Sequence, residues 1–350
     1  MTARPAEIRK FPATRHQGFT YLELLIVALA IGVLVALLLP AVGACREAAR
    51  RTACGRNLGQ MLIAIQNYEF LYARFPSGSI HSQGPIIGLP IGYHHNWLSA
   101  ILPYYDRQEL QLDIDYSVGV YQPQNDLARG VDLRSLICPS SGAATTAIAA
   151  GVRVGVSTYA ACHNDAEAPI DVDNNGVFFL NSQIRTADIS DGLSNTIFIG
   201  ERLEDARELG WMSGTRSTLR NVGAAIGAGR RGGGGGQSQV DSGSGSGPRR
   251  RGPRLLWVIS VGEDPFATFK GVELDEGDIA AELQRLQPRG LVQSTSVDLH
   301  EVGQFAANHP GGAMFGFGDG SVRFGNRTGS SDTMARLAHR ADGGMLHDEN

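Results

Sequence analysis

Nineteen consecutive residues, Leu24 to Val42, carry no charged or polar side chain. As a helix they would extend about 28 Å, close to the roughly 30 Å hydrocarbon core of a bilayer. A chain with such a segment must place it in a membrane or cover it with other protein. The first eighteen residues set Arg4, Arg9, Lys10 and Arg15 against the single acid Glu7. Arg46, Arg50, Arg51 and Arg56 stand beyond the run as well, so the positive-inside rule leaves the orientation open.

Three readings of this segment compete: a secretory signal peptide, an ordinary single-pass anchor and a prepilin signal. A secretory signal should have an apolar region of about 7–15 residues and a small-x-small cleavage site. This run is longer, and a helical pattern continues past Pro40. The stretch GFTYLELLIVALAIGVLVALLLPAV, Gly18 to Val42, resembles the class III signal of type IV pilins and type II secretion pseudopilins. The resemblance implies cleavage between Gly18 and Phe19 by a prepilin peptidase, followed by N-methylation of Phe19. Glu23 falls at the fifth mature position, where that family carries a glutamate, and Pro40 at the twenty-second, where many pilins have proline. A carboxylate at the edge of an apolar run needs water or a partner. The α-amine of Phe19 in a neighbouring filament subunit is such a partner, and the alternative is a glutamate that snorkels to the interface. Pro40 removes a backbone donor and is expected to kink or locally melt the helix.

Beyond the apolar run, Cys54, Leu58, Met61, Leu62, Ile65, Tyr68 and Tyr72 form one stripe at a 3.6-residue period. Arg56, Asn57, Gln60, Gln66 and Asn67 are expected on the opposite face, and Arg74-Phe75-Pro76 ends the helix. The segment Arg46 to Gly78, the motif Asp191-Gly192-Leu193-Ser194-Asn195-Thr196, and His309 standing ten residues before Asp319-Gly320 extend the resemblance. Together they are similar to a large family of prepilin-like proteins with a C-terminal H-x9-DG motif and no established biochemical role. Downstream the pattern is β-rich, with short apolar runs at Leu136–Pro139, Ser157–Ala160, Val177–Leu180, Ile197–Ile199 and Leu255–Ile259, and a helix expected at Gly277–Leu286. Residues 222–252 include GRRGGGGGQSQVDSGSGSGPRRRG, a composition that cannot bury a core and reads as a surface loop.

The expected architecture is therefore α+β. It comprises a leader at 1–18, a transmembrane half-helix at 19–43, its amphipathic continuation at 44–75, and a β-rich domain at 76–350 interrupted by the insert.

Several candidate sites follow. In FAANHPGGAMFGFGDGSVRF, Phe305 to Phe324, Asp319-Gly320 is a hairpin signal, and His309-Pro310-Gly311-Gly312 reads as a second turn. The segment is either a three-stranded meander whose His309 and Asp319 stabilise turns, or a metal or catalytic pair, with Glu201 as a third member. Asp171, Asp173 and Asn175, ahead of Gly176, alternate like the first half of a calcium loop. Ser182 stands where the bidentate glutamate would, and a plain turn is the other reading. His94-His95 and His163 are isolated in sequence, and no H-E-x-x-H, G-x-S-x-G, phosphate-loop or dinucleotide motif occurs, so no enzyme activity is expected. A net charge of −4 argues against a nucleic-acid partner.

Among the four cysteines, Cys54 with Cys138 is the expected disulfide: Cys54 opens the buried stripe and Cys138 ends an apolar run. Cys45 lies nine helical residues from Cys54, about 13.5 Å away, beyond the roughly 7 Å limit for bridging. Cys162 competes as a partner, and two reduced thiols are the alternative state.

The resemblance implies a structural pilin or pseudopilin subunit at the inner membrane, with prepilin peptidase and other pilin-like subunits as partners and an extracytoplasmic domain. A membrane-tethered binding module that forms no filament is the rival reading.

Overall fold

A computed structural model of the chain describes residues 20–105, 108–204, 207–223 and 300–343. Gly18, Phe19, the Glu23 side chain, the glycine-rich tract and the elements expected at Leu255–Ile259 and Gly277–Leu286 lie outside the described residues. The chain divides into two compact units, residues 1–48 and 49–350. The helix α1 (Tyr21–Tyr72) contributes to both.

In the first unit α1 is long and apolar enough to cross a membrane. The side chains of Leu24, Leu25, Ile26, Leu29, Leu37 and Leu38 are all exposed. The helix runs through Pro40 without interruption, so the local melting expected there does not occur.

The second unit is built on a five-stranded sheet. Its strands are β5 (Tyr159–Asn164), β6 (Ile197–Glu201), β7 (Leu219–Asn221), β8 (Gly312–Phe317) and β9 (Val322–Asn326), ordered β7-β5-β6-β8-β9. Only the β5–β7 pair is parallel. Two short hairpins lie outside the sheet, β1 (Ser79–Ile80) with β2 (His95–Asn96) and β3 (Thr146–Ala149) with β4 (Val152–Gly155).

Every residue of β5 and β6 is buried, because the sheet has a core on each face. Alternation along β5 sends Tyr159 and Ala161 to the face where Cys54, Leu58, Met61 and Leu62 of α1 pack. Ala160 and Cys162 join the opposite core with Phe305, Phe315 and two residues of a second helix, α2 (Ser331–Ala338). The approach of α1 to β8 is close: a Cβ on Gly316 would lie 2.8 Å from Leu62 Cδ1 and 2.9 Å from Ile199 Cγ1. The expected stripe is buried from Cys54 to Tyr68, with Tyr72 half-buried. Its supposed polar face is only partly so, because Asn57 donates to Ile137 O and Tyr159 Oη, and Gln66 donates to Gly318 O.

Three expectations for strands fail. Arg134–Leu136 forms a single 3-10 turn before Cys138, and Pro139 offers no donor to a ladder. Val177–Leu180 is wholly buried, yet only Leu180 makes a bridge, to Ser79. The C-terminal motif is a two-stranded hairpin, not a three-stranded meander: residues 305–311 form no strand, and Gln304 makes a lone bridge to Asn221.

Candidate functional site

The two Asp-Gly motifs of the sequence meet at one end of the sheet. Gly192 adopts φ +88 and Gly320 φ +86, conformations that glycine takes without steric cost. Backbone N–H groups of Gly318 and Asp319 donate to Thr196 O and Leu193 O, each at 3.2 Å. Asn195 and Thr196 side chains close their own turn onto Asp191 O and Gly192 O. The Asp191 carboxylate accepts from the backbone of Asp342 and Gly343 near the C-terminus, at 2.7 and 2.9 Å. Asp319 accepts from Ser321 N at 2.9 Å within its turn and pairs with Arg323. These aspartates organise turns.

His309 belongs elsewhere. It precedes β8, whereas Asp319 follows it, and six extended residues span roughly 20 Å. A His309–Asp319 pair, one of the two readings of this segment, is therefore not formed. Instead Nε2 of His309 lies 3.1 Å from Oε1 of Glu201 and 3.4 Å from Sγ of Cys138. Cys138 is joined to Cys54 by a disulfide, with α-carbons 5.0 Å apart. The four side chains converge from four distant parts of the chain: α1, the segment after the 3-10 turn, the end of β6 and the approach to β8. One ligand-capable atom from each lies within 4.8 Å of every other. All four residues are buried.

The surroundings hold this cluster in place. Glu201 Oε2 accepts from Met314 N at 2.8 Å, which leaves Oε1 facing the histidine. Cys138 N donates to Thr158 Oγ1 at 2.7 Å, and Tyr159 Oη donates to Cys54 O at 3.4 Å. Burial raises the Tyr159 phenol well above its ordinary range, so it stays a neutral donor. A carboxylate and an imidazole this deep need partners, and they find them in each other. The arrangement offers two sulfurs, a nitrogen and a carboxylate oxygen, a donor set suited to zinc. As a disulfide it is a cross-link flanked by a hydrogen-bonded pair, with no exposed face for a substrate.

The calcium candidates form a turn around Asn174. Its Oδ1 accepts from Asp171 N at 2.8 Å and its Nδ2 donates to Pro169 O at 3.1 Å. Asn175 Nδ2 donates to Asp165 Oδ1, Asp171 Oδ1 accepts from Val172 N, and Asp173 is exposed.

The histidines are not isolated. His81 and His94 stack edge-on at 4.9 Å, and His95 packs on Tyr93 and Tyr116. His94 Nδ1 lies 3.0 Å from Tyr121 Oη, which in turn lies 2.7 Å from Ser213 Oγ. Burial pushes His81 and His95 down to about 4, and burial with its histidine neighbours lowers His94 well below its usual value. His163 is likewise pushed by burial to about 4. Sequence reasoning missed this network, since no spacing rule joins His81 to residues 94, 121 and 213. Glu201 carried a usable signal: it closes the apolar run Ile197-Phe198-Ile199, where a carboxylate requires a buried partner.

The fold and site thus define an α+β domain following an apolar helix, cross-linked at its core and clasped by two Asp-Gly turns. A family model described as "Protein of unknown function (DUF1559)", SBP_bac_10, matches residues 43–332, and the chain belongs to that family. No curated protein and no solved structure matches the chain.

Proposed function

We propose that the protein is a membrane-anchored pilin- or pseudopilin-like subunit, processed by a prepilin peptidase after Gly18 and assembled through its apolar helix. The observation that carries this reading is α1: a helix whose apolar residues are exposed over Leu22–Leu39 and whose later stripe is buried from Cys54 to Tyr68. An exposed apolar surface of that length demands lipid or neighbouring helices. The Gly18-Phe19 junction and Glu23 supply the likeness to a prepilin signal. Glu23 pairs with the terminal amine of a neighbouring Phe19 and sets the register between subunits.

The test is the mature N-terminus of the full chain made in cells with a prepilin peptidase. Mass spectrometry should find N-methylated Phe19 as the first residue. An intact Met1 terminus in the membrane, or cleavage after the apolar run, refutes the proposal. Glu23→Ala should leave processing intact and reduce sheared filament sharply. Wild-type filament yield from that variant counts against the pairing.

A further inference from the structure

We propose that, in its dithiol form, the protein binds one zinc ion through Cys54 Sγ, Cys138 Sγ, His309 Nε2 and Glu201 Oε1. The site is independent of filament assembly and of the processing of the N-terminus.

The geometry is the starting point. Tetrahedral zinc holds sulfur at about 2.3 Å and nitrogen or oxygen at about 2.0–2.2 Å, which places ligand atoms roughly 3.3–3.8 Å from one another. His309 Nε2 already lies 3.4 Å from Cys138 Sγ and 3.1 Å from Glu201 Oε1. All four ligand atoms fall within 4.8 Å. Breaking the disulfide requires only that the two sulfurs separate to ligand spacing. The outer shell is present as well: Met314 N–H holds the second carboxylate oxygen, so Oε1 is presented in one orientation. With four protein ligands and no exposed face, the site is closed, as in structural rather than catalytic zinc centres.

The pairing of His309 with Glu201 also makes sense of the site's chemistry. His309 Nε2 and Glu201 Oε1 already face each other at 3.1 Å. A zinc-bound Nε2 gives its lone pair to the metal as part of a neutral imidazole. The two thiols release their protons, so one zinc ion replaces two protons. Oxidation by a small-molecule disulfide reverses the state by thiol–disulfide exchange. The two protein sulfurs join, the oxidant's disulfide splits into two thiolates, and zinc leaves. The same four residues thus tie α1 to the sheet in either redox state, by a covalent bond when oxidised and by a metal when reduced.

The experiment uses the full chain in detergent, with exposed Cys45 replaced by Ser so that it cannot contribute a ligand. One sample is kept oxidised. Another is reduced with a water-soluble phosphine, which takes up oxygen from water as the disulfide becomes two thiols. Each receives zinc chloride or, as a spectroscopic probe, cobalt chloride. The reduced chain should retain one zinc per chain after gel filtration, show a cobalt–thiolate charge-transfer band, and melt at a higher temperature with zinc than with a chelator. The oxidised chain should do none of these. Glu201→Gln and His309→Ala should weaken zinc binding by the reduced chain at least tenfold, with circular dichroism of their oxidised forms checking the fold. Reduced wild-type protein that binds no zinc, that unfolds and is not restored by zinc, or that shows cobalt without the thiolate band overturns the proposal. Unchanged affinity in both variants overturns it too.

Discussion

Arg202 and Glu208 form an ion pair with side chains only 1% and 4% exposed. The guanidinium also donates to Ser157 O at 2.8 Å, and Glu208 Oε1 accepts from Gly210 N at 3.0 Å. Losing one partner of such a pair strands a charge in the interior. Glu208→Ala should therefore cost about 3–5 kcal/mol in urea unfolding. The Arg185–Asp188 pair, 65% and 34% exposed, is the contrast. Asp188→Ala should shift the urea midpoint little, since water already screens that pair. The buried histidines make a separate prediction. Their pKa values near 4 lie below the ordinary 6.5, so the unfolded chain takes up protons that the folded chain refuses. Stability should be full above about pH 6.5 and fall as pH drops toward 4, by up to about 1.4 kcal/mol per pH unit for each histidine. Urea midpoints taken between pH 5 and 6.5 check this. A flat profile there would show that the histidines are charged or solvated in the folded state.

Helix α1 changes character along its length, and substitutions along it should report that. Leu58 is fully buried in the core beneath the sheet, whereas Phe70 on the same helix is 85% exposed. Leu58→Ala should cost about 2–5 kcal/mol, the transfer term plus the cavity left behind. Phe70→Ala should stay within about 0.5 kcal/mol. Thermal melts of the two variants measure the difference. Equal losses would mean that the exposed face is covered in the folded protein, for instance by a second subunit. The β8–β9 hairpin was readable in advance, because Gly318-Asp319-Gly320-Ser321 names its turn and the flanking apolar residues name its strands. Val177–Leu180 looked the same locally and is not a strand. An apolar run records burial, and pairing depends on which neighbours the tertiary fold supplies.

In the whole molecule, the disulfide joins residues 84 apart and ties α1 to the segment that leads into the sheet. By the chain-entropy argument a cross-link of this span contributes about 4.5 kcal/mol. Replacing Cys54 and Cys138 together with Ala should lower the melting temperature of metal-free protein by a large margin. An unchanged melting temperature would mean that packing of the stripe alone holds the helix. His309 and Glu201 show why the core cluster was only half legible. Both residues stand out in the sequence, but spacing alone leaves His309 equally free to stabilise a turn or to pair with Asp319. The histidine and the aspartate stand at opposite ends of β8.

Near-neighbour chemistry decided what a reader of the residues alone can recover. The apolar run, the helical stripe from Cys54 to Tyr68 and the Asp-Gly turns all depend on residues within a few positions of one another, so periodicity and turn preference reveal them. The convergence of Cys54, Cys138, Glu201 and His309, and of His81 with His94 and Tyr121, belongs to the tertiary structure. Those contacts join segments tens to hundreds of residues apart, and their chemistry arises from burial. Burial exists only once α1, the sheet and the intervening loops have closed around the same space.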